Sequence, residues 1–309
     1  MGGKCWQHSV KILNFGSIST DFVYEVPHIL VGGETCSSLS RSIYPGGKGL
    51  NSTVALARAG APVYFAGTVG EDGEWLVDVV REAGADASLV DRTEGPSGHT
   101  VIQVDPDAEN CIIVFSGANR KNSKKHIDRV LSQFEAGDYI VLQNEINDLP
   151  YIINSAYARG LQIVLNPSPC DDIINTLPLG KVSYLVVNRA EAAVLAKLPE
   201  NAPDRDILRS LHVMYPEARL VMTIGGDGAL YSDGELVIHQ DPLPADAVDT
   251  TGAGDTFLGN FVTGIAEGMA PAEALRLAAA AAAIAVSRKG AATSIPTREE
   301  TQRLLIESS

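Results

Sequence analysis

The stretch DTTGAGDTFLGN, residues 249–260, divides into two halves with different explanations. From Asp255 onward, Phe257, Leu258, Phe261, Val262 and Ile265 recur at helical spacing on one face, and Gly268 ends the pattern. Burial of that face accounts for the second half but not for the TTGAG before it. Gly252 and Gly254 remove the Cβ atoms that would keep a ligand from the first backbone N–H groups of the helix. Those groups have no intrahelical acceptor, and with the positive end of the helix dipole they form an anion site. Asp255 would then stand in the first turn beside a bound anion. That is poor structural sense but good chemical sense if Asp255 accepts a proton from a hydroxyl attacking a phosphate. The plainer alternative is that an acidic residue merely favours a helix N-terminus.

A second glycine-rich start to a helix lies at YPGGKGLNSTVALARAG, residues 44–60. Gly46, Gly47 and Gly49 surround Lys48, Asn51 falls in the first turn, and Gly60 closes the helix. The stretch is not a Walker A loop, and no Gly-x-Gly-x-x-Gly opens a helix, which argues against a dinucleotide-binding dehydrogenase. Between these two sites, β-rich runs at 10–17, 62–70, 138–143, 161–169, 182–188 and 219–226 alternate with amphipathic helices near 50–59, 73–83, 148–159, 189–197 and 205–215. That rhythm predicts an α/β chain with a mainly parallel sheet covered on both faces. Polar residues recur at the C-terminal ends of the strands: Ser17, Ser19 and Asp21, then Glu145, Asn166, Asn188 with Glu191, and Thr223 with Gly225. Ligands of open α/β sheets bind beyond those ends.

Two stretches break the rhythm. Residues 20–45 alternate without a helix and turn at GGE, and residues 98–116 form a hairpin closed through Asp105 to Asn110. They predict a small sheet outside the main one, either a flap over a site or an ordinary edge extension. Residues 270–290 predict an alanine-rich helix ended by Gly290, with Arg288 and Lys289 in its last turn.

Bulk properties narrow the function. The 309 residues suffice for one large α/β domain. The formal net charge of −14 disfavours nucleic acid or an anionic membrane as a partner. Four scattered cysteines, Cys5, Cys36, Cys111 and Cys170, predict reduced thiols in a cytoplasmic protein. The longest apolar run, residues 277–286, is too short to span a bilayer. The polar segment MGGKCWQHS, residues 1–9, predicts a loose tail and no signal peptide.

GGKGLN (46–51) together with DTTGAGDTF (249–257) closely resembles the paired signatures of the ribokinase-like, or phosphofructokinase-B type, carbohydrate kinases. The match continues through FGSISTD (15–21), GAN (117–119), NPSP (166–169), VNRAEA (187–192), TIGGDG (223–228) and AAAIAVSRKGA (281–291), with the ribokinase branch nearest in pattern. The resemblance implies a three-layer α/β/α domain over 10–309 with a β-sheet lid inserted at about 20–45 and 98–116. It further implies phosphoryl transfer from ATP, with Mg²⁺, to a sugar hydroxyl. Asp255 would be the base, with the N–H groups around Gly252, Ala253 and Gly254 as the anion hole. Ser19, Asp21, Gly47, Lys48, Asn51 and Glu145 would hold the sugar; Asn188, Glu191, Thr223, Gly225, Gly226 and Gly228 would lie along the nucleotide. A monovalent cation, K⁺, would sit among Asp249, Thr251, Ala285, Arg288, Gly290 and Ser294, largely on main-chain carbonyls. A homodimer formed through the lid is also implied.

Positioning and charge stabilisation dominate phosphoryl transfer, so a carboxylate of ordinary pKa would suffice as the base. One departure bears on the acceptor: Ser19-Thr20 stands where the ribokinase branch typically carries Asn-Ala, and that asparagine contacts the sugar. Ribose, giving ribose 5-phosphate, is the favoured acceptor; deoxyribose, a ketose or a nucleoside would fit the same apparatus. A sugar-binding sensor without turnover is the rival of another class, and an intact Asp255 speaks against it.

Overall fold

The computed structural model describes residues 10–107 and 109–308; the tail expected at 1–9, with Cys5, lies outside them. The strands are β1 (Ile12–Phe15), β2 (Ser19–Glu25), β3 (Ser40–Gly46), β4 (Val63–Val69), β5 (Asp86–Arg92), β6 (Gly98–Val104), β7 (Asn110–Phe115), β8 (Tyr139–Gln143), β9 (Gln162–Asn166), β10 (Tyr184–Asn188), β11 (Arg219–Thr223), β12 (Ala229–Ser232) and β13 (Val237–Gln240). The helices are α1 (Lys48–Arg58), α2 (Glu74–Glu82), α3 (Lys124–Leu131), α4 (Leu149–Ala158), α5 (Arg189–Ala196), α6 (Asp204–Met214), α7 (Ala253–Ala266), α8 (Pro271–Val286) and α9 (Arg298–Glu307).

Nine strands form one sheet in the order β13-β12-β11-β10-β9-β8-β1-β4-β5, parallel except for the β11-β12-β13 edge. Continuous apolar runs such as ILNF and YIVLQ bury both faces of each central strand. One face packs Leu50, Val54, Phe257, Phe261 and Ala278 of α1, α7 and α8; the other packs Ile127, Ile152, Ala193 and Leu208 of α3 to α6. Each large apolar side chain so buried contributes about 1.5–3 kcal/mol. The chain runs from β1 outward to β4 and β5 on one side, then returns to β8 on the other. The crevice at the C-terminal ends of β1 and β8 is therefore the switch point where such sheets bind ligands.

The two irregular stretches form a separate four-stranded sheet, β3-β2-β6-β7, as expected. The GGE turn is present, closed by Glu34 N donating to Val31 O at 3.2 Å. Helix α9 is an addition to the expected elements, and α3, β5 and the β12-β13 hairpin carry no strong sequence signal. Half of helix α3 (KKHIDRVL) is charged, β5 (DASLVDR) has few apolar residues for its length, and β12 and β13 are only four residues each.

The alanine-rich helix ends earlier than its pattern predicts. α8 stops at Val286, so Arg288 and Lys289 lie beyond it instead of in its last turn. The cause is tertiary: Val248 N and Asp249 N both donate to Val286 O, and Gly290 N donates to Asp249 Oδ2 at 2.9 Å. These bonds draw the chain away from the helical path.

Candidate active site

Helices α1 and α7 approach so closely that a Cβ on Gly259 would lie 2.5 Å from Ala55 Cβ. One turn earlier on each helix stand Asn51 and Asp255, and this crossing brings their first turns together. Asn51 Nδ2 donates to Asp255 Oδ2 at 3.3 Å, and Ser52 Oγ donates to Asp255 Oδ1 at 3.4 Å. Asp255 is only 7% exposed. Burial pushes its pKa above the usual carboxylate range, against the nearby Lys48 charge and the Asn51 and Ser52 hydrogen bonds. Desolvation disfavours the charged form, so this carboxylate departs from the ordinary pKa that would suffice for a base.

The two glycines of the anion loop have different reasons. Gly252 caps α7 at φ 74°, and a Cβ there would press on Ala291 Cα at 3.0 Å, so it serves the turn and its packing. Gly254 has open space where a Cβ would point, as expected for ligand access. Ala253 N already donates to Thr250 O at 3.2 Å, and Thr256 N donates to Gly252 O at 2.9 Å. Among the described residues the N–H groups of Gly252, Gly254 and Asp255 have no hydrogen-bond acceptor, and those of Gly254 and Asp255, in the first turn of α7, are the ones beside the cavity.

At the switch point, Ser17 Oγ donates to Glu145 Oε2, and Lys48 N donates to the same oxygen at 2.9 Å. Glu145 thus clamps the Gly-Gly-Lys-Gly loop to β1. The register pairs Asp21 with Thr100, whose hydroxyl donates to Asp21 Oδ1 at 2.6 Å. A Cβ on Gly46 would collide with the Asp21 carboxylate, so Asp21 lies against that loop. Asn51 Oδ1 is buried without a hydrogen-bond partner, which leaves an acceptor for a ligand hydroxyl.

A cavity of about 600 Å³ opens beside Asp255, lined by Lys48, Asn166, Asn188, Glu191, Thr223 and Gly254 among others. Lys48 therefore lines this cavity, while its backbone N–H belongs to the Gly-Gly-Lys-Gly loop held by Glu145. Burial alone would lower its pKa, but Asp255, Glu145 and Glu191 raise it, so the ammonium stays charged. Asn188 and Glu191 form a capping box on α5: each side chain accepts from the other's backbone N–H at 2.9 Å. They are helix caps and cavity wall at once.

A second cavity of about 510 Å³ continues from the first through Thr223, Gly225, Thr250 and Gly254. Its walls are apolar, with Leu243, Phe257, Ala279 and Ala283, and Gly226 and Gly228 close one end. The alanines of α8 thus do more than permit packing; Ala279, Ala282 and Ala283 line this apolar cavity.

Beyond Gly252, the Asp249 carboxylate bridges two loops, accepting from Thr251 N and Gly290 N, both at 2.9 Å. Burial alone would raise its pKa, yet these hydrogen bonds and Lys289 hold it below the usual range. Ser294 Oγ donates to Ala291 O at 2.8 Å, and Ala285 O accepts from Arg288 N at 3.1 Å. The Arg288 side chain points elsewhere, donating to Glu300 at 2.6 Å. All six residues named for a cation lie in or beside these loops, and they present oxygen donors suited to a hard cation. Among the described residues no cluster of three or more His, Cys, Asp or Glu could hold a metal. On the cavity wall, the Glu191 carboxylate and the Asn188 amide are the groups that would hold a divalent ion.

Ser17, already on the rim of strand ends, contacts Glu145; Ser52 and Thr100, which sequence alone leaves without a role, contact Asp255 and Asp21, and Asn119 and Thr250, present in the motifs but given no role, contact Ser19 and line the cavity. Ser52 has a signal, its place beside Asn51, and Asn119 has one in the GAN motif; Thr100 depends on the register of β6 with β2 and has none.

The profile of the pfkB family carbohydrate kinases matches residues 10–298. The chain is similar to the ribokinase of Haemophilus influenzae, at 34% identity over 94% of this chain and 96% of that protein. It is also similar to that of Bacillus subtilis, at 33% over 96% and 99%. The structure of Arabidopsis thaliana ribokinase complexed with ribose and ATP superposes with a TM-score of 0.86, at 30% identity, covering 96% of this chain and 99% of that one. The fold, the paired glycine-rich helix starts and the buried Asp255 carboxylate agree with these comparisons: the chain belongs to the pfkB family of carbohydrate kinases.

Proposed function

We propose that this protein transfers the γ-phosphate of ATP to a hydroxyl of ribose, giving ribose 5-phosphate and ADP, in one kinase domain over 10–309. The observation that carries the reading is Asp255: a buried carboxylate set by Asn51 and Ser52, beside free N–H groups and a cavity holding a charged lysine. The sugar lies among Ser19, Asp21, Gly47, Asn51 and Glu145, and its reacting hydroxyl faces Asp255. The hydroxyl oxygen bonds to the γ-phosphorus as the bond to the leaving ADP oxygen breaks, and the hydroxyl proton passes to Asp255. The raised pKa of Asp255 makes it a better proton acceptor than an exposed aspartate, provided Lys48 keeps it ionised. The Gly254 and Asp255 N–H groups and the Lys48 ammonium stabilise charge on the transferred phosphoryl. When bound, Mg²⁺ supplies further positive charge at the phosphates, and K⁺ beside Asp249 would offset charge behind the anion loop. Base and ribose of the nucleotide occupy the alanine-lined cavity.

The test is ADP release from Mg·ATP across ribose, deoxyribose, hexoses, ketoses and nucleosides. Ribose should give the highest kcat/KM. A different sugar or a nucleoside leading by tenfold would replace the acceptor, and absence of turnover with all of them would support the sensor reading.

The lid favours a homodimer. Ile112, Ile113, Val114 and Phe115 of the edge strand β7 are 48–68% exposed, and the opposite edge β3 exposes Ile43 and Tyr44. An apolar unpaired edge invites pairing. We infer a cytoplasmic location from the scattered cysteines, of which Cys36, Cys111 and Cys170 are free. No helix among the described residues is long and apolar enough to cross a membrane.

A further inference from the structure

Asn119 lies in the 3-10 turn Gly117–Arg120 that follows β7, where the lid rejoins the main sheet. It is 3% exposed, and its main chain is fixed: Asn119 N donates to Ser116 O, and Asn122 Nδ2 donates to Asn119 O, both at 3.0 Å. Its side chain reaches the root of β2. Ile18 N donates to Asn119 Oδ1 at 3.0 Å. A backbone N–H can only donate, so this bond settles which end of the amide is oxygen. The Nδ2 end must then face Ser19, and it donates to Ser19 Oγ at 3.0 Å. A Cβ on Gly98, the register partner of Ser19, would collide with Asn119 Nδ2 and lie 2.8 Å from Ser19 Oγ. The glycine leaves room for this pair.

A hydroxyl that accepts such a bond keeps its one hydrogen for another acceptor. Among the described residues none takes it. Ser19 and Asp21 lie on the same face of β2, and Asp21 faces the Gly46 loop. The spare hydrogen of Ser19 is therefore offered on the sugar side. An asparagine in place of Ser19 could offer donor or acceptor by turning its amide; a serine pinned by Asn119 has its hydrogen turned away from Asn119 and always available to donate, with one lone pair besides.

We propose that Asn119 is a specificity-positioning residue, forcing Ser19 to donate to one oxygen of the acceptor, so that an analogue lacking that oxygen is rejected. This rests on the sugar kinase reading. A deoxy analogue would leave a nearly buried donor unmatched, the situation in which polar sites discriminate best.

The experiment compares the full chain with Asn119→Asp, Ser19→Ala and the double variant. kcat and KM are measured by ADP release for the best sugar and each of its monodeoxy analogues, with the melting temperature beside them. Asn119→Asp keeps the shape and the acceptor for Ile18 N–H, but the atom facing Ser19 becomes an acceptor and captures its hydrogen. The wild-type preference for the parent sugar over one analogue should fall about tenfold in Asn119→Asp, mainly through KM. Ser19→Ala should match it, and the double variant should lose no more. A purely structural role would lower kcat/KM for parent and analogues by one common factor, and that result overturns the inference. So does an unchanged preference in Ser19→Ala. Wild-type turnover with no sugar would instead bring down the function itself, and the inference with it.

Discussion

Replacing Asp255 by Asn tests the chemistry with little disturbance of the geometry. The amide is isosteric, its Oδ1 can accept from Asn51 Nδ2, and its Nδ2 can donate to the Ser52 hydroxyl, which turns to accept. The two existing bonds are long, at 3.3 and 3.4 Å, so each contributes no more than about 0.5–1 kcal/mol and their exchange costs little. What is lost is the proton acceptor. Positioned bases contribute roughly 10²–10⁴ in rate, and the buried setting of Asp255 within reach of the Lys48 charge supports a value near 10³, about 4 kcal/mol. kcat should therefore fall about 10³-fold while KM for sugar and ATP stays within about threefold. Stability should move the other way. Asp255 has a raised folded-state pKa, so its ionised form destabilises the fold above the unfolded-state pKa, and neutral pH lies in that window. The amide carries no such charge, so Asp255→Asn should melt at or above the wild-type temperature. The assay is coupled ADP release with kcat and KM resolved, beside a thermal melt. A kcat within tenfold of wild type would refute the assignment of Asp255 as base.

Lys48→Met removes the charge that holds the Asp255 pKa down, so that pKa should rise further. The base then stays protonated to higher pH: kcat at neutral pH should fall about 10²-fold, and the acid limb of its pH profile should move upward. An unmoved limb would contradict the influence of Lys48 on Asp255. Activity with Na⁺ as the monovalent ion should lie well below that with K⁺, and K⁺ should raise the melting temperature of wild type but not of Asp249→Ala. Equal melts and equal rates in the two salts would remove the cation site. Light scattering should show a dimer at micromolar concentration and a monomer for Ile113→Asp, because Ile113 is 62% exposed on the lid edge. A monomeric wild type would rule the lid interface out.

The alternation of strands and helices, the separate lid and both glycine-rich helix starts were legible in sequence because each is a local pattern: period two, period 3.6, or bare backbone before a helix. The polar residues at strand ends could be ranked along one rim because parallel strands share a C-terminal edge; the register indeed aligns Gln143 with Asn166 and Asn188 with Thr223. Tertiary structure decided the rest. Val286 ends α8 because Val248 and Asp249, remote in sequence, take its carbonyl, and no helix signal encodes that. The raised pKa of Asp255 depends on how deeply α1 and α7 bury it, and their closeness is set by the contact of Gly259 with Ala55. Lys48 could be placed in the sugar loop by its neighbours, but which cavity it lines is a matter of packing. The hydrogen-bonding sense of Ser19 is the furthest from the sequence. It is fixed by an amide a hundred residues away, itself oriented by a backbone N–H beside Ser19. Sequence determines which polar groups are available; only the fold determines which of them are already satisfied, and so which remain for the substrate.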